Sequence, residues 1–252
     1  MSHRFFLDSI PNSDRLVAGD KIALQGDQAH HAINVMRFNI GDQLVLFDGS
    51  GIQYLAAVED IEKKTVSLTI LESVEDAKSL ATEITIAVAL PKGDRQKFLI
   101  EKMVELGVQT LIPLKTKRAV AVANPKVIAR LGKQVIEASK QCGRNKLMKI
   151  AEVQTINQLI QKSGESFPNA QRLVADPYQG ETISSLISNP AAGTKREFVV
   201  AIGPEGGLDE SEVQLLIENQ FEPIRLGPSI LRIETACVAV ASILGIGTEN
   251  RD

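Results

Sequence analysis

Residues 203–207, Gly-Pro-Glu-Gly-Gly, stop the apolar run Phe198 to Ile202 and precede Leu208-Asp-Glu-Ser-Glu-Val213, which reads as the start of a helix. Glycines let backbone approach a ligand closely and adopt positive φ, so a glycine-rich turn between strand and helix is a common binding device. The loop is neither GxGxxG nor GxxxxGK(S/T). Glu205 also sits where a phosphate-binding loop would avoid an anion, which argues against a nucleotide phosphate. Taken alone, the loop is equally well a tight turn that needs glycine. Two other stretches add weight. In Leu226–Leu244, LGPSILRIETACVAVASIL, Gly227 and Pro228 again end a strand, and Thr235 or Glu234 can cap a helix whose body is small and apolar. A helix that apolar is buried on nearly all sides. Ala175–Gly180, ADPYQG, closes the preceding strand. Three such loops at one sheet edge make a pocket for a flat, partly apolar, partly cationic ligand.

The elements that must carry these loops form two groups. From residue 84 onward, strands alternate with helices. ITIAVAL is followed by a helix from Asp94 to Leu106 with Gly107 as its stop, and TLIPLKT by a helix beginning at Asn124 and Pro125. KIAEV, RLVADPY, EFVVAI and PIRL are followed in turn by TINQLIQKS, ETISSLIS, LDESEVQLLIENQ and ETACVAVASILGI. Six such units predict a mostly parallel sheet covered on both faces, an α/β domain whose ligands bind at the carboxyl ends of the strands. Before it, KIALQ, QLVLFDG, IQYLAAVEDI and TVSLTILESV are short strand candidates, and DGSG at 48–51 is a hairpin signal. One helix, 27–37, interrupts them, with Asp27 as its cap and Ala29, Ile33 and Met36 as a buried stripe. This predicts a small β-barrel with an inserted helix, joined to the α/β domain by a polar linker around 73–83.

Charge is distributed unevenly. The 252-residue chain has a net charge of −3, yet between Lys92 and Lys149 fourteen Lys or Arg face four Asp or Glu, so that segment is +10 and the remainder −13. Phosphates are neutralised by local clusters and not by the global average, so the segment points to nucleic acid. Solvated helix faces are the alternative. Cys142 and Cys237 are far apart and lack neighbours at metal-ligand spacing, which argues against a disulfide framework or a metal site. The N-terminus lacks the apolar core of a signal peptide. The longest apolar tract, Ala236 to Ile246, is too short to span a bilayer, so the chain reads as cytoplasmic with no membrane partner.

ALPKGDRQKFLIEKMVELGVQTLIPL, EASKQCGRN, AIGPEGG and LGPSILRIETA, in that order behind a module containing HHAINVMR, resemble the RsmE family of the SPOUT superfamily. The likeness covers nearly the whole chain. These are bacterial enzymes that methylate N3 of one uridine in the 16S RNA of the small ribosomal subunit, using S-adenosylmethionine. The resemblance implies a PUA-like β-barrel over 1–74 and a SPOUT α/β-knot methyltransferase domain over 83–252. It further implies a deep trefoil knot in that domain, and a homodimer formed through the knotted regions. Position by position, it assigns the cofactor to Ile202, Gly203, Gly206 and Gly207, and to Leu226, Gly227, Ile230, Leu231 and Arg232. This chain departs from the family pattern at Ser229, where Arg is usual, and at Ile233, where Thr is frequent.

Methyl transfer from a sulfonium needs an in-line nucleophile and no acid, so positioning supplies most of the catalysis. The N3 proton of uridine must be accepted, and the resulting anion stabilised. Arg232 is the first candidate for the anion, and Glu234 and Glu205 are candidates for the base. A carboxylate at 234 is equally explained by its favourable position at a helix start. Candidate RNA contacts are Arg4, His31 and Arg37 on the β-module, and Lys92, Arg95 and Lys97 after the first strand of the second domain. Lys117, Arg118, Arg144 and Lys146 lie in later loops. The alternatives are a SPOUT enzyme acting on another rRNA or tRNA nucleotide, and a non-catalytic RNA-binding protein.

Overall fold

Strand patterning separates the two parts of the molecule. Lys21–Gln25 (β2) buries alternate residues, Ile22 and Leu24, whereas Thr82–Val88 (β6) and Arg196–Ile202 (β12) are buried almost continuously. The first pattern is that of a sheet with one wet face, the second of a sheet covered on both. The computed structural model describes residues 3–8, 15–75, 82–119, 123–183, 185 and 196–246. It divides into one unit of Met1–Ser79 with Ser139–Leu147 and another of Leu80–Ala138 with Met148–Asp252. The short stretch 139–147 thus groups with the N-terminal residues, whereas the sequence places the whole of 83–252 in one domain.

In the first unit, the strands Arg4–Phe6 (β1), β2, Gln43–Phe47 (β3), Ile52–Ile61 (β4) and Thr65–Glu75 (β5) form one sheet in the order β1-β3-β4-β5-β2. β1, which no periodicity announces, runs parallel to β3, and the other pairs are antiparallel. The DGSG turn between β3 and β4 is tied by Asp48 Oδ1, which accepts from Ser50 N at 2.8 Å and Ser50 Oγ at 2.6 Å. The buried Tyr54 hydroxyl donates to Asp48 Oδ2 at 3.0 Å.

The inserted helix differs from the expected one. Gly26–His30 (α1) continues into a π-helical turn, His31–Met36, which stops at Arg37 with φ 55. A π turn takes more residues per revolution, so the stripe drifts. Ala29 and Ala32 are buried, while Ile33 and Met36 are only half-buried. Asp27 lies inside the first turn and does not cap, because Gln25 holds the extended position before the helix and makes no side-chain cap bond.

The second unit follows the predicted alternation. β6, Asp94–Glu105 (α2), Thr110–Lys115 (β7), Pro125–Cys142 (α3), Lys149–Ile150 (β8), Gln154–Thr155 (β9) and Ile156–Ser166 (α4) come first. Gln171–Ala175 (β10), Glu181–Thr182 (β11), β12, Glu210–Glu218 (α5), Glu222–Arg225 (β13) and Ile233–Ile246 (α6) complete it. The sheet order is β11-β13-β10-β12-β6-β7-β8, with β9 also on β7, and every pairing is parallel. α4 starts with a reciprocal capping box between Thr155 and Gln158, and Asn124 Oδ1 accepts from Val127 N at 3.0 Å at the start of α3. Glu181 and Thr182, expected in a helix, instead pair with β13; residues 184 and 186–188 of that expected helix lie outside the described residues.

α6 begins at Ile233, and Ala236 N donates to Arg232 O at 2.9 Å. Glu234 and Thr235 are therefore inside its first turn and neither caps it. Over 233–245 the helix is buried except for exposed Thr235 and a half-buried stripe of Val238, Ala239, Ser242 and Ile243. Among the described residues, no helix is long and apolar enough to cross a membrane, and no cluster of side chains suits a metal ion.

Candidate functional site

Four parallel strands end level with one another. Ile224 of β13 pairs with Ala175 of β10, Ala175 with Ile202 of β12, and Ile202 with Val88 of β6. Their loops therefore emerge at one edge, and Ile224, Ala175 and Ile202 line a cavity of about 310 Å³ there. The remaining walls come from 203–208, from Leu226, Gly227 and Ser229–Leu231, from Asp176–Tyr178, from Ile233 and Ala236 at the start of α6, and from Arg118. All eight residues assigned to the cofactor other than Arg232 line this cavity, as does Glu205.

The 203–208 loop folds back on itself. Gly207 N donates to Pro204 O at 2.8 Å, and Gly207 has φ 71, a conformation that disfavours any side chain. A Cβ on Gly203 would stand 2.8 Å from Leu208 N, so closure of the loop excludes one. The loop is then tied from outside. Arg118 Nη1 donates to Gly206 O at 3.1 Å and Leu208 O at 3.4 Å, and its Nη2 lies 3.4 Å from Asp209 Oδ2. Lys117 Nζ donates to Asp209 Oδ1 at 3.0 Å and Ser211 Oγ at 2.6 Å, and Lys117 N donates to buried Glu212 at 2.9 Å. Asp209 and Glu212 form the capping box of α5. Hydrogen bonds from Ser211 and then Lys117 hold the Asp209 pKa down at about 2. Glu205, at the tip, pairs with Arg95 Nη2 at 3.1 Å.

The opposite wall is different. Pro228, Ser229 and Ile230 are exposed, as is Arg232, which lies just beyond the lining. Glu234 is only 7% exposed, and its Oε2 is buried with no hydrogen-bond partner. Burial, followed by the charge of Glu234, pushes the Cys237 thiol up, so it stays protonated.

The other residues read as RNA contacts are placed as follows. In the first unit, His31 and Arg37 are exposed, with His31 edge-on to Phe5. Arg4 stacks over Phe47 and bonds Gln53 Oε1 at 3.3 Å and Asn145 Oδ1. Arg144 is half-buried, and burial lowers its pKa. Lys146 is exposed and bridges through its backbone to Gly49 and Ser50. In the second unit, Lys92 and Lys97 are exposed, with Lys97 3.7 Å from Glu101. The contacts of Arg118 with the glycine loop were not legible from the sequence, nor was the lining position of Tyr178. The ADPYQG motif marked the right loop without singling out a side chain.

Comparison with known proteins identifies the scaffold. A family model described as RNA methyltransferase domain matches residues 78–245, and one described as RNA methyltransferase PUA domain matches 24–71. Ribosomal RNA small subunit methyltransferase E of Bacillus subtilis is 30% identical over 252 residues, 98% of this chain and 97% of the relative. The chain belongs to the ribosomal RNA small subunit methyltransferase E family. The protein of that name from Synechocystis sp. is 32% identical over 234 residues, 88% of this chain and 72% of the relative. A crystal structure of ribosomal RNA small subunit methyltransferase E from Neisseria gonorrhoeae bound to S-adenosyl methionine matches with a TM-score of 0.82 and 27% identity, over 96% of each chain. The family read from the four motifs is the family these matches identify, with the PUA domain where the β-module was expected.

Proposed function

We propose that this chain transfers a methyl group from S-adenosylmethionine to N3 of one uridine of 16S ribosomal RNA in the small ribosomal subunit. The observation that carries the reading is the cavity at the carboxyl edge of β13, β10 and β12, within a chain that matches the RNA methyltransferase domain over 78–245. Its lining suits the cofactor. Backbone of 203–207 and 226–231 offers donors and acceptors for an adenine edge and a ribose, and Ile202, Leu226 and Leu231 offer apolar contact to the ring. The carboxylates of Asp176 and Glu205 suit a sulfonium, and the sole cation among the lining residues, Arg118, is bonded to the loop.

When bound, S-adenosylmethionine supplies a methyl on a positively charged sulfur that departs as a neutral thioether. The protein orients the uridine in line with that methyl. Arg232, exposed beside the cavity, stabilises the anion that develops on N3 and the flanking carbonyl oxygens. Glu234, whose Oε2 is buried without a partner, is the first candidate to take the N3 proton. Glu205 is second, because Arg95 engages it. Arg4, His31, Arg37, Arg144 and Lys146 on the first unit contact RNA, as do Lys92 and Lys97 on the second. Arg95, Lys117 and Arg118 reach phosphate only by giving up their present partners. Binding is salt-dependent.

The second unit contains a trefoil knot and forms a homodimer that acts in the cytoplasm. Supporting the knot, α6 leaves from beyond β13 yet packs against α2 and β6, on the far side of β12. The open apolar stripe Val238, Ala239 and Ile243 supports the dimer.

The test is methyl transfer from labelled cofactor to small subunits that lack the modification, followed by nucleoside digestion and mass spectrometry. The expected product is 3-methyluridine. A different methylated nucleoside would assign the fold to another target, and cofactor binding without any product would remove the substrate.

A further inference from the structure

The described residues include eight large hydrophobic side chains that are exposed, and the two most exposed are Tyr178, at 82%, and Ile230, at 69%. Single exposed apolar residues are ordinary. These two come from separate loops, one after β10 and one after β13, yet both line the same cavity. Among the described residues that line it, Tyr178 is the only aromatic.

The ring stands on an anchored loop. Asp176 N donates to Ile224 O at 3.0 Å, and Asp176 Oδ1 accepts from Tyr178 N at 2.7 Å while Oδ2 accepts from Gln179 Nε2 at 3.0 Å. Arg225 Nε donates to Gly180 O at 2.9 Å. Gly180 lies so close to β13 that a Cβ there would fall 2.0 Å from Pro223 O. The backbone is therefore fixed on both sides of a ring that remains in solvent. A large aromatic held out of the core on a fixed loop is a surface for another flat ring.

We infer that Tyr178, with Ile230 exposed on the same cavity, is the platform on which the extruded target pyrimidine stacks, so that it positions the base over the cavity. The inference rests on the proposed function. N3 of uridine is covered in a paired base, so the nucleotide must leave its stack, and enzymes receive such bases between aromatic and apolar side chains. Charge favours the same occupant. Arg118, the one cation in the lining, is turned onto loop carbonyls, which suits a neutral ring at the lip better than a phosphate.

The chain offers a direct probe, because it has no Trp and only two Tyr, of which Tyr54 is fully buried. Tyrosine emission of the full-length protein, saturated with S-adenosylhomocysteine, is followed while a short single-stranded oligoribonucleotide carrying a uridine is added. The Y178F variant supplies the Tyr54 background. Wild-type emission is expected to be quenched well beyond that background, and an unchanged signal overturns the proposal. In parallel, Y178A is expected to lower kcat/KM for small subunits about tenfold, the scale of one lost base stack. The affinity for S-adenosylhomocysteine and the mass in solution should not change, and Y178F and Y178W should stay within about threefold of wild type. A parallel loss of cofactor affinity would make the ring a cover for the cofactor, and a fall in mass would make it part of an interface between copies. Either result refutes the base platform. If wild-type protein makes no 3-methyluridine, the proposed reaction falls, while the quenching measurement still decides the role of the ring.

Discussion

The two walls of the cavity are held in opposite ways. The 203–208 loop is fastened by Arg95 and Arg118 and is followed at once by the capping box of α5, which Lys117 holds through Asp209, with one glycine that excludes a side chain and another at positive φ. Across from it, Gly227–Leu231 makes no hydrogen bond to a described residue, and three of its five residues are exposed. A wall that is already ordered loses little freedom when a small ligand binds. A wall without fastenings can adapt to a large one, as mobile loops over active sites do. In the proposed reaction the first wall serves the cofactor alone, whereas the second, which also meets the cofactor through its backbone, leaves Ile230 and the neighbouring Arg232 exposed for the RNA.

The largest expected effect tests the second wall. R232A should lower kcat about a hundredfold or more, the usual cost of removing one donor to a developing anion, with cofactor affinity nearly kept. Single-turnover kinetics and calorimetry with S-adenosylhomocysteine separate the two; equal losses in both would erase the distinction between the walls. G203A comes next. Its Cβ would meet the Leu208 amide at 2.8 Å, so backbone must shift. About tenfold weaker cofactor binding and a loss of about 1–3 kcal/mol in stability are expected, as for overpacked sites, and thermal melting with a cofactor titration measures both.

R118A is a milder test of the same wall. Its bonds to Gly206, Leu208 and Asp209 are exposed, so solvent weakens them, and a rise of about three- to tenfold in cofactor Kd is expected. The salt dependence of RNA binding should stay the same. A slope smaller by about one would mean that Arg118 holds a phosphate instead.

The smallest effect lies away from the cavity and appears only at high pH. Burial, and then the Asp48 charge and hydrogen bond, push the Tyr54 pKa up to about 12, against about 10 for an unfolded tyrosine. The folded state holds this proton more tightly. The stability it contributes is therefore complete below about pH 10 and is lost as pH rises through about 12. Thermal melts of the wild type should fall across that window, while Y54F should lack this component. Neither protein should change its cofactor affinity at neutral pH.

Local chemistry determined a large part of this molecule. Asn124 and Pro125 open α3, Thr155 and Gln158 cap α4, Gly107 follows α2, and continuous apolar runs became the central parallel strands, because each of these signals acts within a few residues. The glycine loops were legible for the same reason, since the backbone conformation they need is written in their own residue types. Tertiary structure decided what depended on distant partners. Lys117 meets Asp209 across 92 positions, β1 finds β3, Glu181 and Thr182 join β13, and 139–147 groups with the N-terminal sheet. A basic residue that grips a loop and one that awaits a phosphate look alike in sequence. So do a tyrosine in a core and one on the lip of a cavity, because only the folded chain brings up the neighbours that tell them apart.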